Sequence, residues 1–196
     1  EARNYDELFP EFVVEDLGLN TLTNPKFTYN NISTNLGTRY SIDNSQNLYF
    51  NYSISSRKPN PSELFSEGLH HSSARIEIGD LSFTSEVGHN FSLTYNVANE
   101  KSNLTVNSFA NYVDDFIYII PVDLMPTIAG VFPYWEYKQD DAKLFGLDLK
   151  YDRQYFTNFF IGHQISIIKG YERDNDKPLI NMPPVNLKNQ ISYSIP

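Results

Sequence analysis

Two adjacent histidines, His70 and His71, are the residues of this 196-residue chain best suited to hold a ligand. Neutral imidazole suits zinc and iron, so capture of a metal or of haem is one reading, with His70 as the metal ligand. The other is that one ring packs and its neighbour is solvated, because adjacent side chains on an extended backbone point to opposite sides. His89 and His163 fall inside strand-like runs and read as structural. The acidic pairs Glu15–Asp16, Asp114–Asp115 and Asp140–Asp141 would need converging carboxyls in unlike environments to run acid–base chemistry. Neighbours on a strand diverge, so these read as solvated charges. The tract from Glu172 to Lys177 is rich in calcium-type ligands but lacks the glycine and closing glutamate of an EF-hand loop, and reads as an exposed turn. Asn-x-Ser/Thr triplets begin at Asn31, Asn51, Asn90 and Asn103; three sit on the polar side of strands, a poor place for a glycan. With no glycine-rich phosphate loop, HExxH or serine nucleophile elbow, the chain does not read as an enzyme, and no cofactor is expected.

Composition narrows the class. There are 15 Lys and Arg against 24 Asp and Glu, a formal charge of −9. No basic patch exists to track phosphates, so nucleic acid is not an expected partner. The absence of cysteine removes disulfides and thiol chemistry. No apolar run approaches the ~18 residues of a transmembrane helix. The first residues lack the basic end and apolar stretch of a signal segment, so an exported protein would carry its signal elsewhere. With 14 Tyr, 14 Phe and one Trp, the composition favours strands.

Those strands must carry whatever the chain does, and they show as alternation of apolar and polar residues. Ile32, Leu36, Tyr40 and Ile42 share one face, with Ser33, Asn35, Arg39 and Ser41 on the other. Phe91, Leu93, Tyr95 and Val97 stand against Asn90, Ser92, Thr94 and Asn96. The same pattern recurs near Leu48, Asn103, Lys143, Asn158 and Val185, giving seven strands, with a weaker eighth near Phe12. The connections alternate in length. Asp43–Gln46, Asn99–Ser102 and Asp152–Thr157 are short; Lys58–Thr84, Pro121–Pro133 and Arg173–Pro184 are long. Transmembrane barrels sort short turns and long loops to opposite sides of the membrane, a beat that a β-sandwich has no reason to keep. The runs Asn103–Val122 and Pro133–Tyr151 exceed the ~9–11 residues of a membrane crossing and project past it. Tyr, Phe and Trp135 near strand ends read either as interface girdle residues or as core aromatics. The expected fold is all-β: an antiparallel meander of long strands, a partial segment of a transmembrane β-barrel. A soluble β-sandwich, binding carbohydrate or acting as an adhesin, is the competing form. In that form Phe91, Leu93 and Tyr95 would pack on a second sheet.

The segment from Ser55 to Glu86 resembles a recurrent block of TonB-dependent receptors through Arg57, Pro59, Glu63, Leu64, Gly68, His70, Ile78, Gly79 and Glu86. Ser82–Ser85 lacks the Asn-Pro-x-Leu that often precedes the glutamate. Tyr137, Gln139, Asp141, Ala142, Gly146 and Asp148 resemble a strand of that family, and Pro178, Leu179, Pro183 and Pro184 resemble the segment entering a strand near the barrel's end. The resemblance implies an outer-membrane importer of a scarce solute such as a ferric siderophore, haem, zinc or another small solute. Its partners would be outer-membrane lipid, a plug domain and TonB, with His70 and His71 on the ligand side. Such barrels have about 22 strands. Residues 1–196 are therefore expected to be a fragment lacking the plug and further strands, and open edges would favour self-association.

Overall fold

The computed structural model describes residues 26–195 throughout, together with two short strands, β1 (Val13–Asp16) and β2 (Leu19–Leu22). These pair antiparallel as a ribbon of their own. They occupy the segment of the weaker eighth strand; Phe12, Leu17 and Gly18 lie outside the described residues. The rest is one sheet built from β3 (Ser33–Ser41), β4 (Gln46–Arg57), β7 (Glu86–Asn99), β8 (Ser102–Thr127), β9 (Gly130–Phe156), β10 (Phe159–Glu172) and β11 (Asn186–Tyr193). They lie in the order β11-β10-β9-β8-β7-β4-β3, every neighbour antiparallel. Between β4 and β7 sit helix α1 (Pro61–Phe65) and the hairpin of β5 (Glu67–His70) and β6 (Arg75–Ile78). This is an antiparallel meander, a partial barrel that does not close: β3 and β11 each have one partner among the described strands.

Alternation sets the two faces, and the register aligns them across the sheet. One row runs Asn47, Asn96, Thr105, Lys150, Gln164 and Lys188; another runs Leu48, Tyr95, Val106, Leu149, Ile165 and Leu187. No second sheet covers the apolar side among the described residues. Phe91 and Leu93 remain 38% and 43% exposed, and Leu187 62%. The sandwich expectation required these side chains to be sealed within the chain, and they are not. A single layer with hydrocarbon-type residues facing outward is stable only against an apolar solvent.

The three short turns lie at one end, but the third is tighter than expected: Asp152–Phe156 continue β9 in register with β10, leaving only Thr157 and Asn158 as the turn. At the first of them Asp43 Oδ1 accepts the backbone N–H groups of Ser45 and Gln46 at 2.7 and 2.8 Å. The Ser45 amide, first among the causes, holds this carboxyl below its usual pKa.

At the other end the structure corrects one expectation. Pro121–Pro133 is not a loop: β8 continues to Thr127 and β9 resumes at Gly130, leaving Ile128 and Ala129 at the tip. Three prolines made the stretch read as a connection. Pro121 and Pro126 are tolerated because β8 beyond Asp114 pairs with β9 alone among the described strands, so its other edge needs no donors, and Pro133 lies on β9 just before its pairing with β6 begins at Tyr134. A bulge between Val113 and Phe116, with Asp115 at φ 58°, marks where the hairpin leaves the sheet.

Candidate functional site

Nearly all buried side chains lie at this outer end, where residues 58–85 fold back onto β8 and β9. Pro61 is compatible with a first helical turn because its missing N–H would have had no partner there. Glu63 reaches back so that Oε2 accepts the Asn60 N–H at 2.7 Å, the reciprocal half of a capping box. The same carboxylate accepts from Arg57 Nη1 at 2.9 Å. Arg57 also donates through Nε and Nη2 to the two oxygens of Glu86, at 2.6 and 2.7 Å, and Glu86 Oε1 accepts the Ile117 N–H at 2.7 Å. Glu63 and Glu86 are buried. One guanidinium thus ties together the end of β4, the helix, the start of β7 and the outward part of β8. Arg57, Glu63 and Glu86, scattered over 30 positions of sequence, converge on one point.

The neighbouring family-type residues support that point through the backbone. Gly79 N–H donates to the Ser66 carbonyl at 2.7 Å, and a Cβ on Gly79 would lie 2.6 Å from the Glu63 carbonyl oxygen. Pro59 is buried. Leu64, Leu81, Phe83 and Ile117 form the small core beneath, with Phe27 and Tyr137 against it. Gly68 has φ 120°, a conformation that side chains with a Cβ rarely adopt.

The β5–β6 hairpin is held to the sheet by parallel pairing of β6 with β9, Ile76 opposite Tyr134 and Ile78 opposite Glu136. Arg75 lies over the Trp135 ring at 4.6 Å and donates to buried Glu77 at 2.7 Å. Trp135 therefore stacks within the outer package. Burial, and then the charge of Glu77, push the Tyr137 phenol above its usual pKa. His70 ends β5 and His71 opens the turn; both are exposed, with His70 Nδ1 3.0 Å from Ser72 Oγ. Among the described residues no group of three or more His, Asp or Glu is placed to hold a metal ion.

A second charged junction was not legible as such. Arg173, after β10, bonds Asp114 at 2.6 Å and also Asp141, whose Oδ1 accepts the Asp115 N–H at 3.0 Å. The acidic pairs read as solvated charges are split: Asp114 and Asp141 share Arg173, while Asp140 accepts from Tyr118 at 2.9 Å. Tyr118 also lies 3.1 Å from buried Glu172, so that residue does not belong to an exposed turn. The break in alternation at Asp114–Asp115 was the available signal, since it marks the bulge that swings Asp114 toward Arg173.

Residues 6–195 match the family described as TonB dependent receptor-like, β-barrel. The chain belongs to that family. It is a family of Gram-negative outer-membrane receptors and transporters rather than of enzymes. Among solved structures, the copper transporter OprC matches with a TM-score of 0.74 at 17% identity, over 94% of this chain and 28% of that one. The siderophore receptor PirA from Acinetobacter baumannii gives 0.60 at 12% identity, over 84% and 26%. PirA from Pseudomonas aeruginosa gives 0.57 at 14%, over 71% and 28%. The chain thus spans under a third of the length of these receptors. No curated protein matches.

Within a TonB-dependent receptor barrel the remaining family-type positions have physical reasons. Gly146 lies opposite Phe109 on the polar face, where a Cβ would sit 2.0 Å from the ring; the glycine lets the aromatic ring lie flat across β9. Pro183 and Pro184 end the last long loop and lead the chain into β11.

Proposed function

We propose that this chain is a wall segment and outer rim of a TonB-dependent outer-membrane receptor that takes up a scarce solute by an energy-coupled route. The observation that carries the reading is the single-layer meander, with an unsheltered apolar face, an Asn- and Ser-rich opposite face, and a charged package at one end only. The apolar face contacts lipid and the polar rows line the lumen, against a plug domain. The plug and the missing strands belong to the longer receptor of which residues 1–196 are a part. Alone, the piece self-associates through the open edges of β3 and β11. The solute is a ferric siderophore, haem, zinc or a similar small species, in line with neighbours that are a copper transporter and siderophore receptors. Transport, not catalysis, is its work.

The test is uptake by cells carrying the full-length receptor, with and without a working TonB. Growth on a limiting metal chelate that depends on both supports the reading; growth indifferent to both removes it. His70 and His71, exposed at a hairpin tip, are the proposed ligand-side residues, His70 as a zinc ligand. Calorimetric titration of the intact receptor with Zn²⁺ decides this: His70→Ala should weaken binding, and unchanged binding removes the metal role.

A further inference from the structure

On β9 the apolar face reads Lys143, Phe145, Leu147, Leu149, Tyr151 and Arg153. A cation stands at each end, an aromatic ring lies just inside each cation, and the middle is aliphatic. The run advances ten residues, about 33 Å of strand at roughly 3.3 Å per residue. Tilted by ~40°, it stands about 25 Å tall, the height of the apolar band of a transmembrane barrel.

The neighbouring strands end their apolar rows at the same registers. His89 of β7 and Tyr112 of β8 share a row with Lys143, and Asn99 and Ser102 share a row with Arg153. Between these rows the face of the three strands carries no carboxylate, amine, guanidinium or imidazole. Its one aliphatic hydroxyl, Ser108, donates to the Leu93 carbonyl at 3.5 Å. Charge resumes at once beyond. On the loop side Lys143 pairs with Asp176, and Asp141, next on that face of β9, pairs with Arg173. On the turn side the Arg153 guanidinium lies 4.9 Å from the centre of the Tyr155 ring.

Through this region β7, β8 and β9 are paired along both edges. Further strands of the barrel can join only at β3 or β11, and in a single layer they do not cover this face. Whatever covers it is a second layer that is apolar over about 25 Å and meets polar or charged groups at both limits, the profile of a bilayer. Lys and Arg suit those limits, because their stems lie along apolar surface while their heads stay in water.

We propose that the outer limit of the hydrocarbon runs along His89, Tyr112 and Lys143, and the inner limit along Asn99, Ser102 and Arg153. Lys143 and Arg153 then stand at headgroup level, and the Arg57–Glu86 pair, farther out on β4 and β7 than His89, lies beyond the hydrocarbon. The inference rests on the lipid-facing wall of the uptake reading and deepens it by fixing the depth of each residue.

Spin labels on single cysteines test it: Lys143→Cys, Phe145→Cys, Leu147→Cys, Leu149→Cys, Tyr151→Cys and Arg153→Cys. Each is made in the full-length receptor in lipid nanodiscs, with any cysteine outside residues 1–196 replaced by serine, since this chain has none. Relaxation by oxygen, which concentrates in hydrocarbon, and by a water-soluble nickel chelate gives a depth for each label. Oxygen should dominate from Phe145 to Tyr151, most strongly at Leu147 and Leu149, and yield to nickel at Lys143 and Arg153. Leu93→Cys and Val106→Cys, mid-band on the neighbouring strands, should match Leu147 and supply the depth if a β9 variant fails to assemble. Oxygen dominance at Leu147 and Leu149 with either crossover inside Phe145 or Tyr151, or beyond Lys143 or Arg153, overturns the limits and leaves the lipid-facing wall. Nickel dominance at every position removes the wall's lipid contact and the limits with it. Uptake is scored separately in cells: the expected crossovers in a receptor that takes up no solute sustain the limits and remove the transport reading.

Discussion

Between the short turns and Arg57 the sheet leaves its large apolar side chains uncovered, with Leu36, Phe50, Phe91 and Leu147 all above a third exposed. At the outer end, residues 58–85 and the outward halves of β8 and β9 bury Leu64, Ile76, Ile78, Leu81, Phe83 and Ile117, together with three glutamates, Glu63, Glu77 and Glu86. The wall has ladders and no core; the package has a small core and charged staples. On the proposed reading, the wall takes its order from backbone hydrogen bonds and turns its apolar face to lipid. The package sits in water and must supply its own burial. The two halves should therefore respond to different insults.

The largest contrast is expected from Glu86→Ala. It strips two bonds from Arg57, which keeps Glu63, and removes the acceptor from the buried Ile117 N–H, which together costs about 3–4 kcal/mol. Hydrogen exchange should show amides 60–83 opening while the β4–β7 ladder beyond the mutated end stays protected. Equal opening of both would merge the two regions into one unit. Next comes the lipid side of the wall. Leu93→Arg should cost roughly 2–4 kcal/mol in bilayers, whereas Ser92→Arg, one residue along on the polar face, should cost little. A reversed order in denaturant titrations would exchange the faces.

Gly79→Ala should be smaller, about 1–3 kcal/mol, because the new methyl group meets Glu63 and Leu64 backbone atoms that cannot step aside. Its effect should be confined to the package, read as a lowered melting of the outer end with unchanged wall protection. Least of all is Asp43, at the opposite end of the sheet. Its lowered pKa means the folded turn favours the carboxylate. That contribution is complete at neutral pH and fades as pH falls through the folded value, below the ordinary 3.8. Faster exchange of the Ser45 and Gln46 amides below that pH, absent in Asp43→Asn, is the expected sign. Loss of package amides over the same window would show that the ends are coupled.

What could be read without coordinates was whatever repeats locally. Alternation with a period of two is written into each strand, so the seven strands of the sheet, their faces and the first two short turns followed from residues such as Phe91, Leu93 and Tyr95 alone, while the third turn was read too long because Asp152–Phe156 are polar and aromatic strand residues. Turn and loop signals failed where a tertiary setting changed their meaning. Pro121, Pro126 and Pro133 read as loop, yet they lie in a paired hairpin, the first two on the β8 edge that needs no donors. The family-type residues were legible as a list but not as a junction: that Arg57 holds Glu63 and Glu86 at once depends on a helix folding back across the end of the sheet. The union of Asp114 with Arg173 needed a bulge, and the meeting of Arg75 with Trp135 needed β6 to lie parallel to β9. The sequence by itself determined which side of each strand meets water, because that choice is made residue by residue. Only the tertiary structure decided which distant charges and apolar walls face one another, because those meetings are fixed by register, bulge and loop closure acting together.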